Sequence, residues 1–467
     1  MDVLKKDLFR YMYSSNRVWI LKLNVFGLLL LTLLIFFLPA LDYPFSMDSI
    51  HLIRSYSAQE LLDTWTGHWD PDNIETAGWR PLTTFFYYAE WLLSRSSALL
   101  QRLALIFFMA LTITMLCDLF QQFTGDRTLA LAASLLSATA MSSYYHATFL
   151  ADGIHFFLLF LLIISARFFL QIIRSPSIFN VIGFLAFYLL ALLTREEAVS
   201  WALALPLIGL LANKKFTFAH WQHLWRIIIV LIIVIAIYFI LRIFFLYDIE
   251  CRGGVLLHPV GCTYAAPSFI NGIKGAFMPF DIFGKNITHI IIATLFFFAF
   301  VFSSARFKIR LLILLGIVLC TLIHTKVFYR SNLLFNTVPF VALILAFSIW
   351  KVIPWPMARW VMIIFICVLG TLSAYQREIT FHPRAISALE WDLEVQELLN
   401  EGVHADPRIA ADLEFRLNRF NLIKSNGDID RDNMKRIIIK ANKRPRILWP
   451  WDIPESGTFA PAKDTWW

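Results

Sequence analysis

Apolar stretches long enough to matter recur along the chain, broken by short polar connections. They fall near 18–41, 98–120, 128–146, 150–173, 178–194, 198–213, 226–246, 286–304, 309–325, 331–350 and 357–375. A helix needs roughly 20 mostly apolar residues to cross a hydrocarbon core about 30 Å thick, so about eleven transmembrane helices are predicted. The first run is not expected to be a cleaved signal peptide: it is too long, ends in "FFLPALDYP" and lacks a small-residue cleavage site.

One segment fits neither a span nor a solvated loop. "AGWRPLTTFFYYAEWLL", Ala77 to Leu93, lies in the polar stretch 42–97 that follows the first run. Wound as a helix, it puts Leu82, Phe85, Phe86, Ala89, Leu92 and Leu93 on one face. Arg80, Thr83, Thr84, Tyr87, Trp91 and Ser94 take the other. Pro81 suits the first turn, where a missing N–H removes no helical hydrogen bond. The pattern predicts a helix lying in the membrane interface.

The second polar region is the tail, 376–467. "AISALEWDLEVQELLNEG" places Leu389, Leu393 and Leu399 roughly on one helical face, and "PRIAADLEFRLNRF" can form a second helix. "RIIIKANKRPRILWPW" could hold short strands. The expected architecture is therefore an all-α polytopic membrane domain, 1–375, with a small α or α+β domain, 376–467. External loops are expected at 42–97 and 247–285.

Composition supports that class and excludes others. Hydrophobic residues make up 58% of the chain and charged ones 16%, too little charge for a soluble protein of 467 residues. The net charge of +8 is explained by orientation. Lys5, Lys6, Arg10 and Arg17 precede the first span, and "NKKF", "SSARFKIR" and "KVIPWPMAR" fall in loops on the same predicted side, the cytoplasmic one. The basic residues therefore do not imply a nucleic-acid partner. The first external loop is acidic, and the same count puts the chain after Tyr375 outside.

Of the cysteines, Cys117, Cys320 and Cys367 fall within apolar runs as small core residues. Cys251 and Cys262 frame "CRGGVLLHPVGC" in the 247–285 loop and are expected to form a disulfide in an oxidising compartment. No CxxC pair suggests zinc, and neither a cofactor nor a divalent metal is indicated.

Charge at the edge of spans is costly and marks cavities. The predicted outer side collects Asp42, Asp48, Arg80, His146, Asp152, His155, Arg195, Glu196, Glu197, Lys326 and Arg330. Each has a plainer role available. Asp48 can cap a loop helix. Asp152 and His155, three apart, can hydrogen-bond each other. The charges of "LLTREEAVS" can form a solvated hairpin in which Arg195 pairs with a glutamate. Lys326 and Arg330 run against the orientation bias, which favours an anion-binding role for them.

In this order these landmarks resemble the GT-C superfamily of integral membrane glycosyltransferases, nearest to its O-mannosyltransferase-like branch. They are Asp48 in "FSMDSIHLI", "GWRPLTTFFYYAEW" opening an interfacial helix, "YYHATFLADG", "LTREEAVSWALALP" and "VFYRSNLLFNTVP", spread over roughly residues 18–350. Two features depart from the pattern: Asp48 is followed by Ser where a second acid is common, and the tail lacks tetratricopeptide repeats.

The resemblance implies a GT-C-like fold and inverting transfer from a polyprenyl-phosphate sugar to a protein, lipid or glycan acceptor. Asp48 would be the general base, with Arg80, Asp152, His155, Glu196, Glu197, Lys326 and Arg330 binding substrate. The setting would be a bacterial inner membrane, with the site facing the periplasm or cell exterior. Two other classes stay open: a transporter or flippase of lipid-linked sugars, and a non-catalytic scaffold. A transporter calls for charges near mid-membrane and symmetry between halves, and the chain has neither pattern.

Overall fold

Helix ends in this chain fall where short polar residues can cap them. A computed structural model describes residues 21–38, 41, 52–71, 78–94, 97–140, 150–175, 177–212, 218–246 and 338–372. Its regular elements are α1 (Leu21–Phe37), α2 (Ala58–Asp63), α3 (Pro81–Ser94), α4 (Ala98–Thr124) and α5 (Arg127–Ala138). A 3-10 turn, Leu150–Gly153, leads into α6 (Ile154–Arg174), followed by α7 (Ile178–Thr194), α8 (Ala198–Ala212) and α9 (Phe218–Leu246). Last come α10 (Val338–Val352) and α11 (Pro356–Leu372). The runs near 286–304 and 309–325, the 247–285 loop and the 376–467 tail lie outside the described residues.

Capping explains the boundaries. Ser57 and Glu60 form a reciprocal capping box on α2. The Ser97 hydroxyl accepts from Leu100 N at the start of α4, and Gly125, at a φ of 69°, ends that helix in the left-handed region. Asp126 then caps α5, accepting from Thr128 N and Leu129 N at 2.8 and 3.2 Å. Ser177 caps α7 through Asn180 N. Among the described residues all regular structure is helical.

Three of these helices contain stretches long and apolar enough to cross a membrane: Leu99–Gln122, Ile154–Arg174 and Trp225–Phe245. Around them, α6 packs against α4, α7 and α8, while α5 lies between α4 and α10. Phe26 of α1 meets Phe107 of α4 edge-on at 5.2 Å. Gly153 lets the start of α6 approach α4: a Cβ there would sit 2.7 Å from a methyl of Leu105.

The exterior is apolar. On α9 the side chains of Ile229, Ile232, Ile233, Ile237, Ile240 and Phe244 are exposed, while its Tyr238 and Arg242 are buried. Helix α3 is built the same way round. Its buried residues are Pro81, Thr83, Thr84, Tyr87, Glu90 and Ser94, and Ala89, Leu92 and Leu93 point outward. In water that arrangement would leave apolar surface wet; in lipid it is the favourable one, because polar groups must find partners inside the protein. This is the pattern of an all-α membrane protein.

Polar groups concentrate at two ends of the bundle, joined by α6. His155 stands in its first turn and Arg167 and Arg174 toward its last. Its 21 residues span about 30 Å, near the thickness of a hydrocarbon core.

Candidate functional site

The arginine-rich end is assembled around the connection between α7 and α8. Thr194 ends α7, and Arg195, Glu196 and Glu197 follow before α8 begins at Ala198. The two adjacent carboxylates point to different partners. Glu196 receives both Nε and Nη2 of Arg80, at 2.7 and 2.5 Å, in a two-pronged fork. Its Oε2 also lies 3.4 Å from Nη1 of Arg242, at the end of α9. Glu197 accepts from Arg195 at 3.0 Å and approaches His155 Nδ1 at 3.5 Å. The hairpin therefore ties the start of α3, the end of α9 and the first turn of α6 together.

Arg80 is held by the loop before it. Trp69 N donates to Gly78 O at 3.0 Å, and Trp79 Nε1 donates to Trp65 O at 3.0 Å. Gly78 is tightly enclosed, because a Cβ there would meet Trp69 at 3.1 Å and Arg80 Nε at 3.2 Å. The Arg80 guanidinium carbon lies 5.7 Å from the Trp69 ring centre. One turn on, the Thr83 hydroxyl donates to Thr194 O at 2.6 Å, and that of Thr84 to Trp69 O. The polar face of α3 is thus turned inward because it docks on the loop and on the end of α7.

Burial sets the electrostatics. Arg80 and Arg242 are only 7% and 5% exposed. Burial by itself would raise the Glu196 carboxyl, but the guanidinium groups of Arg80, Arg242 and Arg195 outweigh it and hold the group well below the usual carboxylate range. Burial likewise opposes the charge on Arg80, and Glu196 and Glu197 more than restore it. Among the described residues, three guanidinium groups here face two carboxylates. Counted over these residues, positive charge is in excess. Arg242 has the loosest contacts, 3.4 Å to Glu196 and 3.5 Å to the Tyr238 hydroxyl.

Directly beside this cluster runs a groove of about 400 Å³ between α7 and α9. Its walls include Ile182, Leu189, Ile237 and Leu241, and Trp79 and Tyr238 line it nearest the cluster. All four aliphatic residues are exposed, so the groove opens sideways. The Trp79 ring packs on Tyr238 at 5.6 Å and on Phe245 at 5.3 Å.

The residues expected in a site divide into three groups. Arg80, His155, Glu196 and Glu197, drawn from three separate stretches of sequence, come together. The "TREE" hairpin is not the solvated one that its charges allow: side-chain exposure is 15% at Glu196 and 9% at Glu197. Arg195 does pair with a glutamate, as its plainer role required. Asp152 belongs to the 3-10 turn leading into α6. Asp42, Asp48, His146, Lys326 and Arg330 lie outside the described residues, as does the expected Cys251–Cys262 pair. Cys117 and Cys367 are free thiols, the first buried and the second half-buried. Among the described residues no three His, Cys, Asp or Glu side chains converge as a metal site.

Sequence reasoning missed Arg242. In "FILRIFFL" it reads as an ordinary basic residue at the end of a span. The available signal was Tyr238 one turn before it, which places two polar groups on one face of an otherwise apolar helix.

Over the described residues, fold and geometry are those of an all-helical membrane protein with a buried, arginine-rich cluster at one end of its helices. No family model matches this chain, and no curated protein matches it.

Proposed function

We propose that the protein is an inverting glycosyltransferase that moves a sugar from a polyprenyl-phosphate donor to an acceptor at the extracytoplasmic face. The observation that carries this reading is the pairing of Arg80 and Arg242 with the laterally open groove beside them. A groove with apolar walls suits a lipid chain, and buried guanidinium groups behind Trp79 and Tyr238, which line it, suit a phosphate headgroup. Lys326 and Arg330 are proposed as further phosphate contacts.

In the reaction, the bond from the anomeric carbon to the donor phosphate oxygen breaks, and its electron pair stays with the phosphate. An acceptor hydroxyl forms the new bond from the opposite face as its proton passes to a carboxylate, which inverts the configuration. Arginine stabilises the charge that develops on the leaving phosphate. Asp48 is the proposed base, and the fold is proposed to be GT-C-like, with about eleven spans, a cytoplasmic N-terminus and an external tail.

A transfer assay in proteoliposomes tests this. With a polyprenyl-phosphate sugar and a panel of protein, lipid and glycan acceptors, the wild-type protein should release polyprenyl phosphate and a glycosylated acceptor. Asp48→Asn should lower the rate by about 10²–10⁴-fold, the scale of general base catalysis. Donor that crosses the bilayer unconsumed would point to a transporter instead.

A further inference from the structure

Glu196 occupies the position that an anionic headgroup would need. Its two oxygens face the Arg80 fork at 2.5 and 2.7 Å, and Arg242 lies 3.4 Å from the Oε2 that Arg80 Nε also holds. A carboxylate and a phosphate offer arginine nearly the same pair of acceptors, so they compete for one fork. The groove reaches the neighbours of this fork: Trp79, next to Arg80 in sequence, Leu241, next to Arg242, and Tyr238, whose hydroxyl lies 3.5 Å from Arg242 Nη1, all line it. An amphiphile with its chain between α7 and α9 would bring its headgroup to guanidinium groups that Glu196 already holds.

From this exchange geometry we infer that Glu196 is a resident anion, displaced from Arg80 and Arg242 when a lipid phosphate binds and returned to them when it leaves. The inference rests on the lipid-phosphate reading proposed above and adds a function for one residue of that site. With the groove empty, Glu196 balances one of the two positive charges that Arg80 and Arg242 bring together. With a lipid phosphate bound, Arg242 tightens onto the headgroup, its present contacts being longer than those of Arg80 and Arg195. An uncharged polyprenol cannot make the exchange, so the device selects for the phosphate. It also weakens product binding, because Glu196 competes with the spent polyprenyl phosphate.

The test is equilibrium binding to the full chain in nanodiscs of uncharged net headgroup, with three probes: a long-chain polyprenyl phosphate, the same polyprenol without phosphate, and inorganic phosphate. Glu196→Gln should bind the polyprenyl phosphate about tenfold more tightly than wild type, and Arg242→Ala about tenfold more weakly. Polyprenol affinity should be unchanged in both, and inorganic phosphate should bind far more weakly than the lipid. Inorganic phosphate binding as tightly as the lipid would assign the anion site to a free ion and overturn the lipid exchange.

A Glu196→Gln variant that matches wild type or loses affinity like Arg242→Ala would overturn the exchange while leaving the lipid site standing. Wild-type protein that fails to distinguish polyprenyl phosphate from polyprenol would defeat the lipid-phosphate reading itself. Infrared difference spectra of the wild-type protein give an answer independent of folding of the variants. Polyprenyl phosphate, but not polyprenol, should shift a carboxylate stretching band; absence of that shift also overturns the exchange.

Discussion

The two ends of the helical bundle use the same kinds of residue to different effect. At the arginine-rich end, Arg80, Glu196 and Arg242 meet with side-chain exposures of 9%, 15% and 6%. At the opposite end, Lys22 of α1 and Arg167 of α6 flank Asp118 of α4 at 2.6 and 3.8 Å, with exposures of 36%, 32% and 21%. Trp350 donates to Asp126 there, and Arg359 lies over the Trp350 ring. Both ends tie helices together. At the opposite end water and headgroups can screen each charge, so its pairs need no further explanation than anchoring. At the arginine-rich end the charges are shielded from water and, among the described residues, cations outnumber anions beside an apolar groove. Burial, more than residue type, separates a candidate site from an anchor.

The sharpest way to break that comparison is to remove one cation from the buried cluster. Arg80→Ala leaves Glu196 without its fork, with Arg242 at 3.4 Å as its remaining ion-pair partner among the described residues. Stranding a buried charge typically costs about 3–5 kcal/mol. Denaturant unfolding in mixed micelles should register a loss of that order. A loss below about 1 kcal/mol, the range of exposed pairs, would place Arg80 with the residues of the other end.

That contrast was only partly legible in the sequence. Helix α7 was expected at 178–194 and is found at Ile178–Thr194, because Ser177 and the charged "TREE" segment punctuate an unbroken apolar run. Helix α5 was expected to run to 146 but ends at Ala138, with Thr139 at its C-cap. Apolar content alone carries no stop signal there. The two faces of α3 were readable from the helical period. Which face turned inward was not, because burying Thr83, Thr84 and Tyr87 depends on acceptors supplied by Trp69, Thr194 and their neighbours, far off in sequence. Glu196 and Glu197 are the same residue side by side, and nothing local predicts that one meets α3 and α9 and the other α6. Pairing of that kind exists only once helices are packed.

A gentler test uses a buried charge without a guanidinium partner. Glu90 lies on the inward face of α3, and its carboxyl oxygens have no well-aligned hydrogen-bond partner among the described residues. Burial raises this carboxyl well above its usual range, and the Gln101 amide offsets only part of the rise. A raised acid binds its proton more tightly in the folded state, so its contribution is complete below the ordinary glutamate value, about 4.3. It is lost as pH climbs through the higher folded value. Thermal stability should therefore fall as pH rises above that point, and Glu90→Gln should flatten the decline. The expected gain at pH ~8 is about 1–3 kcal/mol, the cost of a buried polar group left unsatisfied. An unchanged pH profile in Glu90→Gln would show that another group sets the slope.

The smallest effect is expected at the opposite end, and its smallness is the point. Asp118→Asn removes the carboxylate shared by Lys22 and Arg167 while keeping the shape of the side chain. Both cations are about one-third exposed, so each can be solvated by water or by lipid phosphates once its partner is gone. The net change should be no more than about 1 kcal/mol, the range measured for exposed ion pairs. Added salt should shrink it further, since the Debye length drops to roughly 3 Å at 1 M ionic strength. The Arg80→Ala loss should keep most of its size under the same conditions, because buried charges are poorly screened. Parallel unfolding curves at low and high salt separate the two cases. If Asp118→Asn cost as much as Arg80→Ala, and resisted salt equally, burial would no longer distinguish the ends, and the arginine cluster would lose its claim to be more than an anchor.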